Sequence, residues 1–340
     1  MSKLTPKENY MRMARGEMPE SIPVYGYAKM GDKDPDTVLL APSCLGTYRG
    51  PQGGVDPFGV RYVANEETGF ASMPDTSFHI LDDITKWRDV IKKPDFSDVD
   101  WETMAKKDIE ALGIDREKTA IMGCSLCEFF QPLMGMMGFV EGLCAIAEEP
   151  DEVAELFDMM CDVAVELTKK MLYYYKPDIW NFGDDSATKL NPFISPKQFR
   201  ELLVPRYKRV TDIVREYDIP IDYHNCGRCE DFLDDMVNVC GISIWNPAQT
   251  TNDLLAVKKK FGRKLAVVGG YDFVMPVTYP DVDEEYVRSS VREAIDRYAP
   301  GGGYGFCGGV PGRIDDPAVM KINMWIADEV ETYGKDYYLR

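Results

Sequence analysis

A chain of 340 residues with 45% hydrophobic and 28% charged side chains has enough apolar material for a sizeable core. Its 57 acidic and 39 basic residues give a net charge of -18, which argues against a nucleic acid or an anionic membrane as partner, since both need a basic face. Solubility is the expected use of so much negative charge.

The first residues, MSKLTPKENYMRMARGEMPE, are charged throughout. They hold no apolar stretch of the signal-peptide kind, and a cytoplasmic protein is expected. The nine cysteines, an odd number, are then expected as reduced thiols, some of them ligands. The Gly/Pro-rich run GTYRGPQGGVDPFG, from Gly46 to Gly59, reads as a long loop in an N-terminal elaboration. The most apolar stretch, Ala120 to Ala147, is interrupted by Glu128, Gln131 and Glu141. It reads as buried helix after a short strand and not as a membrane span.

From about residue 119 short β-rich runs alternate with amphipathic helices. The strands are TAIMG, DIWNFGDD, IPIDYHNCG, ISIWNP, KLAVVGGYD and YGFCGG. The helices between them start at residues such as Ser195, a plausible N-cap, and one ends at Gly262. Such βα repeats with short connections imply a parallel sheet covered by helices. The expected fold is α/β, a (β/α)8 TIM barrel with an N-terminal elaboration, forming one domain over residues 1–340.

The polar residues that stand out all occur where a strand ends: Asp184 and Asp185, His224 and Cys226, Asn246, Asp272, Cys307. In a barrel these ends converge on one mouth, where chemistry is sited. The chain has only two histidines, and His224 stands one residue apart from Cys226, so in a strand both would face the same way. With Cys307 they offer one imidazole and two thiolates, a donor set for zinc with one position open. The same residues also fit a satisfied core, and the pairs Cys124–Cys127 and Cys226–Cys229 fit a structural zinc, an iron–sulfur cluster or a redox couple. Spacing leaves these readings open.

Asp184 and Asp185 are candidates for acid/base work, for supporting a ligand, or for plain loop acids. GGYGFCGG contains the G-x-G-x-x-G spacing, but a helix precedes it and Pro311 and Gly312 follow, so no dinucleotide site is expected. The methionines of MGMMGF fit a core better than a cofactor box, and His79 has no donor neighbour in sequence. Tyr223, Trp245, Tyr271, Phe273 and Tyr304 stand at strand ends, where they either line an apolar pocket or belong to the core.

TPKENYMRMARGEMPESIPV, DPFGVRY, WNFGDDSATKLNPFISPKQFRELLVPRYKRV, HNCG and KKKFGRKLAVVGGYD together resemble the uroporphyrinogen decarboxylase superfamily, from about residue 5 to 335. The resemblance implies a (β/α)8 barrel. Its decarboxylases carry an N-terminal arginine arrangement for porphyrinogen carboxylates and a histidine in the last Gly-rich strand end. Here Arg49 and Arg61 do not follow that arrangement, and Cys307 occupies that strand end. The other branch comprises corrinoid-linked methyltransferases, including methylcobamide:coenzyme M enzymes, whose zinc ligands are a His-x-Cys pair and a later cysteine. His224, Cys226 and Cys307 match those positions one by one.

By that resemblance, His224, Cys226 and Cys307 hold zinc, and the partner is a separate corrinoid protein, since no cobalamin-binding domain is visible. The reaction moves a methyl group between the corrinoid cobalt and a small molecule, either a methyl ether such as a methoxylated aromatic or a thiol acceptor. Asp184 and Asp185 are the acid/base candidates, and Tyr223, Asn246 and Asp272 the substrate candidates, with Gln249 beside them. A homodimer is compatible with the resemblance, though no residue argues for one. The alternatives are a tetrapyrrole decarboxylase and a non-catalytic corrinoid- or tetrapyrrole-partner binding protein with a structural metal.

Overall fold

Strands form where short runs of β-branched and aromatic residues are bounded by turn formers. The computed structural model describes residues 3–26, 34–66, 68, 70–272, 282–310, 312–313 and 315–340. In chain order, β1 (Thr37–Leu40) is followed by β2 (Gly54–Val55), β3 (Arg61–Val63) and β4 (Met73–Pro74). Then come β5 (Ala120–Gly123), β6 (Ile179–Gly183), β7 (Ile221–His224), β8 (Ile244–Ala248), β9 (Ala266–Gly270) and β10 (Tyr304–Cys307). β1 and β5 to β10 pair in parallel, in chain order, as one seven-stranded sheet, while β2 to β4 form a small antiparallel sheet. Helices join the parallel strands, and β5, β6, β8, β9 and β10 are buried along their whole length, as helices on the outer face require. This is a TIM-barrel-like α/β fold.

Among the described residues, the segment beside β10 that would be the eighth strand pairs at a single point. Val24 forms a single parallel bridge to Phe306 of β10. The Tyr25 N–H donates to Phe306 O at 2.9 Å, and Phe306 N–H to Pro23 O at 2.8 Å. On the other side no ladder forms among the described residues, because side chains take the donors. Val24 N–H goes to Asp36 Oδ2 at 2.9 Å and Gly26 N–H to Thr37 Oγ1 at 2.9 Å. The chain thus closes on β1 through Asp36 and Thr37.

Two packed clusters reflect the two faces of the sheet. Inside, Met122, Ile179, Ile244, Ala266, Val268 and Cys307 meet Tyr10 and Met13 of the helix Pro6–Ala14. Thr5 and Glu8 cap that helix reciprocally. Full burial of Met13 contributes about 1.5–3 kcal/mol. Outside, Ile121, Trp180, Phe182, Ile221, Tyr223, Trp245 and Tyr304 pack against the helical layer.

Ser195 caps its helix as expected, its side chain accepting from Gln198 N–H. The helix widens at Phe199–Leu203 before Val204–Arg215. Pro205 explains the widening: it lacks the N–H that the regular ladder needs and crowds the carbonyl four residues back.

The apolar Ala120–Ala147 run is not one helix. After β5 it forms Phe130–Met137 and Phe139–Glu148, which meet at Gly138 with a bend of 115°. Together these two match a span in length and composition, but the first is buried at all but one of its residues. No single helix among the described residues is long and apolar enough to cross a membrane. The Gly46–Gly59 run is also more ordered than a loop, since it supplies β2 and leads into β3.

Candidate functional site

Alternation along β7 decides what enters the barrel. Ile221 and Tyr223 belong to the outer cluster. Asp222, between them, is fully buried and meets the neighbouring strands from inside. It accepts from Asn181 Nδ2 of β6 at 2.9 Å and from Asn246 Nδ2 of β8 at 2.6 Å. Burial pushes its carboxyl up to about 6, against the pull of these two amides.

Asn246 passes this order on to His224. With its nitrogen on Asp222, its Oδ1 faces His224 Nδ1 at 3.0 Å. An amide oxygen only accepts, so His224 carries its proton on Nδ1 and keeps the Nε2 lone pair available. Nε2 lies 3.6 Å from Cys226 Sγ and 3.7 Å from Asp185 Oδ1. Opposite His224 in register stands Gly183. A Cβ there would come within 2.3 Å of His224 O, so only glycine lets the two backbones approach this closely.

Asp185, His224 and Cys226 thus form a compact group, their donor atoms all within 4.8 Å of one another. The Cys226 N–H donates to Asp185 Oδ1 at 2.8 Å, and Gln131 Nε2 holds Asp185 Oδ2 at 3.2 Å. Burial, and then the Asp185 carboxylate, push the Cys226 thiol up. Two potential anions and an imidazole sit together, half-buried, which is an arrangement that a dication relieves.

Cys307 is buried at the end of β10, close enough to act electrostatically on Cys226. Its sulfur stands outside the compact group, because β8 and β9 separate its strand from β7. Asp185, from the adjacent β6, is the third member of that group instead. Cys229 is fully buried, with its thiol on Asn225 O at 3.5 Å. None of the nine cysteines forms a disulfide.

The other sequence candidates separate cleanly. Asp184 is buried, and its oxygens accept from the N–H groups of Phe129, Phe130 and Gln131 and from the Tyr207 hydroxyl. It anchors the start of the helix Phe130–Met137, and burial pushes its carboxyl up to about 7. Its side-chain hydrogen bonds go to that helix turn and Tyr207, while its own N–H donates to His224 O at 3.0 Å, which ties the helix start to β7.

Tyr223 is not a pocket residue either: it points outward, 5.4 Å from the Phe182 ring, with its hydroxyl on Asn225. Trp245 and Tyr304 share that outer cluster, and Phe273 lies outside the described residues. Asp272 is tied to the backbone N–H and hydroxyl of Thr250, in the loop after β8. Gln249 Oε1 accepts from Gly227 N–H at 2.7 Å. Asn252 accepts from Cys229 and Glu230 N–H and donates to Gly227 O, and so fixes the loop that presents Cys226.

Asn181, Asp222, Gln131 and Asn252 were not singled out from the sequence. Asp222 alone carried a signal, since it shares the alternation of His224 two residues on.

Comparison with curated proteins gives no match. The structure is similar to that of a methyltransferase from Methanosarcina mazei, with a TM-score of 0.62 at 15% identity over 97% of this chain and 100% of that one. At that identity the likeness is one of fold. The sequence profile described as uroporphyrinogen decarboxylase (URO-D) matches residues 130–311, a stretch that runs from the helix anchored by Asp184 through Asp185, His224 and Cys226 to Cys307. More than half of the chain is covered, and the protein therefore belongs to the uroporphyrinogen decarboxylase family.

Proposed function

We propose that this protein is a zinc-dependent methyltransferase that moves a methyl group between a small molecule and the cobalt of a corrinoid carried by a separate protein. The observation that supports it most is the pair His224 and Cys226, with the imidazole tautomer set by Asn246 so that Nε2 faces Cys226 Sγ. Asp185 is the third donor, and Cys307 the candidate for completing the set from across the mouth.

Zinc held by these residues would supply a Lewis acid, made mild by thiolate donors, for the sulfur or oxygen that carries the methyl group. The chain's own residues do the rest. Asp222 and Asn246 hold the imidazole in depth and tautomer. Gln131 and the Cys226 N–H keep the Asp185 carboxylate turned toward Nε2. Asn252 and Gln249 hold the Cys226 loop. In the demethylating direction, which we favour, the methyl leaves without the bonding pair. The electron pair stays on the substrate oxygen, and the cobalt supplies the pair for the new bond.

The test is metal content of protein purified without added metal or chelating tag, followed by methyl transfer to a cobalt(I) corrinoid. About one zinc per chain is expected in wild type and in Cys229→Ala, and its loss in His224→Ala and Cys226→Ala. Zinc that leaves with Cys229→Ala and stays with Cys226→Ala would mean a different site and remove the proposal. Retained zinc with conversion of porphyrinogen instead of methyl transfer would favour a decarboxylase.

A further inference from the structure

Gly334 ends the helix Pro317–Gly334, and residues 335–340 then cross over the segment that follows the first helix. Ile22 N–H donates to Gly334 O at 2.9 Å, Asp336 N–H to Ser21 Oγ at 3.0 Å and Tyr338 N–H to Glu20 O at 3.0 Å. A Cβ on Gly334 would come within 3.0 Å of Ile22 Cβ, so the crossing is close. Residues 20–22 lead directly into Pro23–Tyr25, the run that stands beside β10 with its single bridge. What holds 20–22 therefore also holds the seam of the barrel.

The crossing segment is fastened at its far end. The Arg340 guanidinium carbon lies 5.1 Å from the centre of the Tyr333 ring and 5.5 Å from that of Tyr337, and the two rings are 6.2 Å apart. Its Nη2 donates to Tyr333 O and, at 2.9 Å, to Lys335 O. These carbonyls stand at the end of a helix, where a cation is favoured. The rings are fixed in turn, since Tyr333 OH is 2.8 Å from Asp296 Oδ2 and Tyr337 OH is 3.0 Å from Asp296 Oδ1. Asp296 belongs to the helix Glu284–Tyr298, so the fastening spans two helices and adds cation–π attraction to its hydrogen bonds.

Two features oppose this closed arrangement. Asp336 is held at a φ of 52°, in the left-handed region that even an aspartate adopts at some cost. The Tyr338 hydroxyl is buried with no hydrogen-bond partner among the described residues, and water would satisfy it once the segment lifted. Arg340 thus pulls the segment shut while its own phenol pushes it open. That balance marks a two-state element.

We infer that residues 335–340 are a strap with Arg340 as its latch, and that release of the strap loosens Pro23–Tyr25 from β10 and with it the strand end that carries Cys307. The route is short. Phe306 N–H donates to Pro23 O at 2.8 Å and Phe306 O accepts from Tyr25 N–H at 2.9 Å, and Cys307 is the next residue. That Cys307 joins a metal set rests on the function proposed above, whereas the strap does not.

The experiment is hydrogen exchange of the full-length protein as purified, followed in peptides covering residues 20–25 and 304–307, with iodoacetamide alkylation of Cys307 read alongside. The variants are Arg340→Met, Arg340→Lys and Tyr338→Phe. Arg340→Met is expected to speed exchange in both peptides about tenfold, the factor for one charge-assisted hydrogen bond, with β5 to β8 unchanged. Arg340→Lys keeps the charge without the flat fork and gives a smaller rise. Tyr338→Phe removes the stranded hydroxyl and slows exchange in the same peptides, a sign that mere damage to the segment does not produce. Cys307 alkylation follows the same order, with Cys229 unchanged. Alkylation is run with and without a chelator: protection that the chelator removes in every variant alike reports a metal, and the ratio between variants reports the strap.

Unchanged exchange at 20–25 in Arg340→Met, or a rise that extends equally through β5 to β8, overturns the inference, as does faster exchange in Tyr338→Phe. Exchange that follows Arg340 while Cys307 alkylation ignores it overturns the link to the strand end. Protein without zinc or methyl transfer removes the function proposed above and leaves the strap standing, since neither readout needs a metal.

Discussion

Asn246 has one amide and two neighbours that need opposite ends of it. Its nitrogen answers Asp222, and its oxygen answers His224. Replacing it with alanine leaves the buried Asp222 carboxylate with Asn181 alone and the ring N–H unpartnered, and frees the imidazole to turn. Zinc affinity of Asn246→Ala is expected to fall about 10–100-fold, the usual cost of losing such a supporting partner, read by competition with a chromophoric chelator. An unchanged affinity would show that the amide does not orient the ligand.

This support was half legible in the sequence. The His224–Cys226 spacing and the strand-end position of Asn246 were visible, because both are local. The closeness of Asp185 was not, because it depends on β6 being the neighbour of β7. Tyr223 was read toward the pocket although the alternation that sends His224 inward sends Tyr223 outward.

At the level of elements, one short helix and one strand end are tied by a single carboxylate. Asp184 caps Phe130–Met137 by accepting three consecutive backbone N–H groups, where the helix dipole favours negative charge. An asparagine there would turn its NH2 toward N–H donors. Asp184→Asn is expected to lose about 1–3 kcal/mol of stability in urea unfolding. It should also loosen zinc, because Gln131 moves with the helix and carries Asp185 with it. A variant as stable as wild type would mean that the helix start is held by its packing alone.

The strands β5 to β10 and the helix boundaries at Ser195 and Gly262 were legible, since hydrophobic runs and capping residues are local signals, whereas the short β1 to β4 were not. The break at Gly138 was not, because both sides of it are apolar and the periodicity shows no interruption.

For the whole molecule, the closure of the sheet is the feature that departs from an ideal eight-stranded barrel. Between the Val24 segment and β1, side chains of Asp36 and Thr37 stand where a backbone ladder would run. Nothing in the sequence distinguished these two from ordinary loop residues, since their role appears only when the two ends of the sheet meet. Asp36→Ala leaves the Val24 N–H without its acceptor. It is expected to cost about 1–3 kcal/mol and to speed hydrogen exchange at Val24 and Tyr25 before the β5–β10 ladder exchanges. Simultaneous exchange of seam and ladder would mean that the seam adds nothing of its own.

The contact between Gly183 and His224 has a wider consequence. Main chain meets main chain there, so the depth of the imidazole is set by the skeleton and cannot be retuned by repacking side chains. Arg49 and Glu128, by contrast, stand on connecting segments and meet each other through side chains alone. The pocket therefore divides into a fixed floor and an exchangeable rim. A lineage built on this chain would diversify the molecules it accepts by rewriting the rim, while the floor that holds the donor atoms is inherited unaltered.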